Sequence, residues 1–127
     1  MKEIEKDIER GILHYLSSIP TVFVWKVNTV GVFDSKRGIY RMPNSPFIIR
    51  GVSDIIGVVT DGEHRGKIIT IECKRPSTKK RLTKEQSNFL LKIKESGGFS
   101  AVCCSVEEVQ DFLLLNGIIN GQGMSSL

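Results

Sequence analysis

The run Ile68-Ile69-Thr70-Ile71-Glu72-Cys73-Lys74-Arg75 constrains this chain more than any other segment. It is β-branched and apolar enough for a buried strand, yet it closes on a carboxylate and an ammonium. Successive side chains of a strand point to opposite faces. Ile69, Ile71 and Cys73 therefore share one face, and Thr70, Glu72 and Lys74 share the other. A fold built around this strand must bury one side and accommodate Glu72 and Lys74 at the C-terminal end of the other. An edge strand with a solvated Glu–Lys pair would do so at a gain of a few tenths to about 1 kcal/mol.

The preceding apolar run argues for more than a solvated pair. Arg50-Gly51-Val52-Ser53-Asp54 leads into Ile55-Ile56-Gly57-Val58-Val59, so one acid stands at the entrance to an otherwise apolar strand. If the two strands are antiparallel neighbours, the start of one faces the end of the other, and Asp54 falls beside Glu72 and Lys74. A turn-type cap is the alternative use of Asp54. Two carboxylates with no histidine or thiolate are the hard oxygen donors that Mg²⁺ or Mn²⁺ selects.

The rest of the chain supplies a frame for such a site. Residues 2–18 have the spacing of an amphipathic helix, with Ile4, Ile8, Ile12, Tyr15 and Ile19 recurring every three or four positions and Pro20 at its end. At 100° per residue Glu5 falls on the same stripe as Ile8, Ile12 and Ile19, Glu9 lies at its margin, and Glu3 and Asp7 point away. An acid turned towards a core needs a partner or a metal, unless it reaches out to solvent. The composition of 22–29 predicts a strand, and 31–47, with its glycine and prolines, a hairpin or long loop. Strands are expected over 53–60 and 67–75, joined by the turn Asp61-Gly62-Glu63-His64.

A helix is expected over 84–96. Thr83-Lys84-Glu85-Gln86 has the form of a capping box at its start, and Gly97-Gly98 a stop at its end. Residues 99–104 read as a further strand. A second capping box, Ser105-Val106-Glu107-Glu108, opens a last helix running to about Asn116. This order predicts an α/β fold, a mixed central sheet flanked by helices. One domain is expected over 1–120, with a frayed tail over 121–127.

Charge points the same way as the site. The chain carries 18 Lys and Arg against 14 Asp and Glu, a formal net charge of +4. Arg75, Lys79, Lys80, Arg81 and Lys84 are concentrated just after Lys74, where they suit a polyanion delivered to a metal centre. A solvated basic loop is the simpler use of them. The three cysteines, Cys73, Cys103 and Cys104, form no C-x-x-C pair and are expected to be reduced core residues of an intracellular, soluble protein. The charged N-terminus is unlike a signal peptide, and no apolar run has the ~20 residues needed to span a bilayer. There is no phosphate-cradling loop and no nucleophile elbow. His14 and His64 are isolated, and Phe23 and Trp25 are expected in the core.

Asp54 followed by a strand, a turn and Glu72-Cys73-Lys74 resembles the PD-(D/E)XK nuclease signature. The surrounding text is more distinctive: Gly51-Val52-Ser53-Asp54-Ile55-Ile56-Gly57, Ile71-Glu72-Cys73-Lys74-Arg75, Leu82-Thr83-Lys84-Glu85-Gln86 and Gly97-Gly98-Phe99. Over residues 3–112 the chain is similar to the VRR-NUC branch of that superfamily. The resemblance implies a restriction-endonuclease-like αβββαβ core and a Mg²⁺- or Mn²⁺-dependent DNA endonuclease with one or two ions per site. It gives metal-ligand roles to Asp54, Glu72 and the Cys73 backbone carbonyl. To Lys74 it gives the orientation of the attacking water and stabilisation of developing charge.

Glu5 matches the acid on the family's first helix, in agreement with the helical-face reading, and Gln86 a helix glutamine beside the site. Ser53 stands where the superfamily name has proline, a position commonly replaced. Short free-standing members resemble Holliday-junction resolvases that act as homodimers, so branched DNA and a second copy of the chain are the expected partners. A flap-type repair nuclease and a non-catalytic DNA-binding module of the same fold are the alternatives.

Overall fold

Helix α1 (Glu5–Ser17) forms where Ile8, Ile12 and Leu16 put one apolar stripe on a 3.6-residue repeat, and all three are buried. Glu5 and Asp7 occupy its first turn, where the helix dipole favours acids. It gives way at Ser18, whose hydroxyl donates to the Tyr15 carbonyl at 2.6 Å, and Ile19 then turns into the core. The computed structural model describes residues 4–27, 32–41, 46–78 and 81–121. α1 starts later than the expected residue 2, because Ile4 is its extended N-cap, and the tail from residue 122 lies outside the described residues.

Four strands make the central sheet, in the order β1 (Val22–Lys26), β4 (Ile55–Val59), β5 (Ile68–Cys73), β6 (Phe99–Cys103). The β1–β4 and β4–β5 pairs are antiparallel, and β5–β6 is parallel. The parallel step needs a crossover, supplied by α2 (Lys84–Glu95). A two-stranded hairpin, β2 (Val32–Asp34) with β3 (Ile39–Arg41), lies between β1 and β4 in the chain, within the span where a hairpin or loop was expected. The fold is α/β, a four-stranded mixed sheet flanked by three helices in αβββαβ order with α3 (Val106–Leu115) after it.

Alternation along the strands divides the two faces. Ile55, Val59, Ile69, Ile71, Cys73 and Cys103 join α1 and α3 in one buried cluster. Ile118 and Ile119, beyond α3, fold back into the same cluster. On the other face α2 covers β5 and β6, where Ser100 Oγ donates to the Leu90 carbonyl at 2.8 Å.

That division overturns the expectation that Phe23 and Trp25 belong to the core. They are 62% and 46% exposed. In β1 it is Val22 that is fully buried, and Val24 packs against the same cluster. Phe23 and Trp25 alternate onto the opposite face, beyond the strands that α2 covers, and pack in a tilted pair with centroids 5.7 Å apart and planes at 52°. The strand expected to reach residue 29 stops at Lys26.

The first capping box forms in full. Gln86 N–H donates to Thr83 Oγ1 and Thr83 N–H to Gln86 Oε1, each at 3.0 Å. The second does not close. Glu108 N–H donates to Ser105 Oγ at 3.1 Å, but the Glu108 carboxylate accepts from the N–H of Cys104, at 2.8 Å. The two cap residues also differ in backbone, φ −160° at Ser105 against −69° at Thr83.

Among the described residues no helix is long and apolar enough to cross a membrane.

Candidate metal and phosphate site

The antiparallel register pairs Ile55 with Ile71, so one step further Asp54 stands opposite Glu72. Asp54 is anchored twice. Its carbonyl accepts the Val27 N–H at 2.8 Å, and its Oδ2 accepts the Cys73 N–H at 2.7 Å. The second bond ties the start of β4 to the end of β5, beside Glu72.

Glu72 is buried, with 3% of its surface exposed. Its Oε2 accepts from Gln86 Nε2 at 3.3 Å. The Gln86 side chain therefore does two things at once. Its oxygen closes the capping box of α2, and its nitrogen reaches across to the carboxylate on β5.

Burial raises the Glu72 carboxyl to about 8, and the charge of Asp54 and a hydrogen bond to Asp54 push in the same direction. Lys74 opposes the shift and Glu5 adds to it. Burial and the neighbouring Asp54 charge thus favour the protonated form of Glu72, a preference that a bound cation would oppose. The Cys73 thiol faces the core, and burial pushes it up, so it stays a neutral packing group.

The two acids open into a cavity of about 370 Å³ shared with Ile49, Arg50, Gly51, Val52, Thr83, Glu85 and Gln86. Gly51 sets its width. With φ +80°, its Cα packs against α2 so closely that an added Cβ would lie 2.3 Å from the Glu85 carbonyl carbon and 2.6 Å from the Gln86 nitrogen.

Helix α1 brings two more acids towards the site. Glu5 is exposed, and its charge acts on Glu72. Glu9, one turn on and largely buried, lies 3.9 Å from Lys26 Nζ. Burial raises its pKa, Lys26 lowers it, and Asp54 and Glu5 raise it further. Sequence reasoning placed Glu5 on the buried stripe and left Glu9 at its margin. The i, i+4 spacing that puts both on one helix face was the available signal.

Among the described residues no group of three or more His, Cys, Asp or Glu side chains is arranged to hold a metal ion. What is present is an adjacent pair of oxygen donors, one of them buried. That donor set fits Mg²⁺ or Mn²⁺, which bind through one or two carboxylates and complete their shells with water and substrate phosphate.

The basic residues divide. Arg75 is half-buried at the end of β5, and Arg81 and Lys84 are exposed on the way into α2. Lys79 and Lys80 lie outside the described residues. Arg50, on the wall of the cavity itself, was not singled out in the sequence; its neighbour Gly51 was the only hint. Comparison with protein-family models gives no match, and comparison with curated proteins gives none.

Proposed function

We propose that the protein is a Mg²⁺- or Mn²⁺-dependent DNA endonuclease of the PD-(D/E)XK type, with Asp54, Glu72 and Lys74 at its centre. The observation that carries this reading is the pairing of Asp54 with the buried Glu72 at the end of β5, both open to a cavity that Arg50 also lines. The resemblance of the motifs on β4, β5 and α2 to the VRR-NUC pattern agrees with it.

In this reading Asp54 and Glu72 hold the ion, with the Cys73 carbonyl and an acid of α1, Glu5 or Glu9, completing its surroundings. A bound divalent ion supplies a lowered pKa for its water and charge neutralisation on the phosphate. Lys74 orients the attacking water and stabilises the charge that develops at phosphorus. Gln86 holds Glu72 in place from α2. Arg50, Arg75, Arg81 and Lys84, with Lys79 and Lys80, contact the DNA backbone. In this reading selectivity comes from DNA shape, and a two-fold dimer offers the paired cuts a four-way junction needs. Reduced thiols fit an intracellular setting.

The test is cleavage of labelled four-way junction, flap and linear duplex with Mg²⁺, Mn²⁺ or chelator, beside Lys74→Ala. Metal-dependent cutting that the variant loses is the expected result. Binding without cutting would replace this reading with a non-catalytic DNA-binding module. Light scattering that finds only monomer on bound junction would remove the dimer.

A further inference from the structure

The candidate cavity continues beyond its own rim. Ile49, Arg50 and Glu85 line it and also line a neighbouring groove of about 570 Å³. The remaining wall is Asn88, Phe89, Lys92 and Ile93, so a single stripe of α2 at three- and four-residue spacing forms the helical side. The stripe mixes three chemistries. Ile49, Phe89 and Ile93 are apolar, Arg50 and Lys92 are cationic, and Glu85 and Asn88 offer oxygen and amide groups. Ile49, which lines both, is 65% exposed.

We propose that this groove takes an unpaired nucleotide of the same DNA strand whose phosphate sits at the candidate site. The inference rests on the nuclease reading and adds a base-binding groove beside its site. A phosphate alone would use Arg50 and Lys92 and gain nothing from Phe89. A base inside a continuous duplex already stacks on its neighbours and cannot reach an apolar wall. An unpaired base has free faces, and an aromatic side chain flanked by cations is how single strands are held without sequence preference. The groove volume lies in the ~300–1,000 Å³ range of small-ligand sites. Because the groove and the cavity share a wall, the bound nucleotide adjoins the scissile phosphate.

The test uses DNA carrying 2-aminopurine at an unpaired position, against a fully paired duplex of the same length, with the full chain and a chelator present. Binding is expected to quench the unpaired probe. Phe89→Leu, which keeps apolar volume and removes the ring, is expected to weaken binding of that DNA about tenfold and of the duplex less than about twofold. Ile49→Ser and Lys92→Glu, at exposed positions, guard against a folding effect at Phe89. No quench, or equal losses on both DNAs in all three variants, overturns the groove. Cleavage of the same DNAs with Mn²⁺ is scored separately. Quench without cutting supports the groove and refutes the nuclease reading; cutting without quench does the reverse.

Discussion

Replacing Gly51 with alanine separates two costs that the structure assigns to that position. The first is conformational: Gly51 has φ +80°, where an L side chain is strained by about 1–2 kcal/mol. The second is spatial. The new Cβ would lie 2.3 Å from the carbonyl carbon and 2.4 Å from the carbonyl oxygen of Glu85, so backbone must retreat by about 1 Å to reach contact distance. Overpacking of that kind costs ~1–3 kcal/mol. Gly62 supplies the control, with φ +84° and nothing within 4 Å of its built Cβ. Gly62→Ala should pay only the conformational part, and Gly51→Ala should be destabilised by ~1–3 kcal/mol more.

Urea unfolding midpoints at constant slope measure the difference. Gly51→Ala also moves the first turn of α2, which carries Gln86 and its 3.3 Å bond to Glu72. It should therefore lose metal-dependent thermal stabilisation, while Gly62→Ala keeps it. Equal midpoints for the two variants would refute the close approach of Gly51 to α2 and the account of cavity width built on it.

Three further outcomes are expected. Glu72 has a folded-state pKa raised from 4.5 to about 8, so its contribution to stability is full below the lower value and is lost as pH rises through the upper one. The melting temperature of the metal-free protein should fall across that window, and Glu72→Gln should flatten the fall; a flat wild-type profile would contradict the buried carboxyl pair. Mn²⁺ at about 100 times its Kd should stabilise the protein by ~2.7 kcal/mol, more tightly at pH 8 than at pH 6 because a proton is displaced, and not in Glu72→Gln. Calorimetry in buffers of different ionisation enthalpy counts that proton. Leu16→Ala in the core should cost ~2–5 kcal/mol, whereas Phe23→Ala on the open half of the sheet should cost less than about 1 kcal/mol in a urea titration.

Much of the site could be read before the fold was seen, because it depends on local rules. Alternation placed Glu72 opposite the core-facing residues of its strand, the short turn after β4 made Asp54 its neighbour, and Thr83 to Gln86 carried a complete capping signal. What escaped depends on neighbours distant in sequence. Whether Phe23 and Trp25 are covered is decided by how far α2 extends across the sheet, which nothing in β1 encodes. Glu9 matters because of the placement of α1 against β1 and Lys26, a packing detail finer than a helical wheel. Arg50 joined the site only when Gly51 brought its loop against α2.

β5 carries core residues on one side and Glu72 on the other, which makes it intolerant of frame. One residue inserted within Ile68–Cys73 would turn Ile71 or Cys73 into the cavity and carry Glu72 under α1 and α3. Chemistry and folding would fail together. The same insertion among Asp61 to Gly66, where the chain is mostly exposed, leaves both faces as they are. Length variation in descendants of this chain can thus gather in that turn, while β5 changes only by substitution.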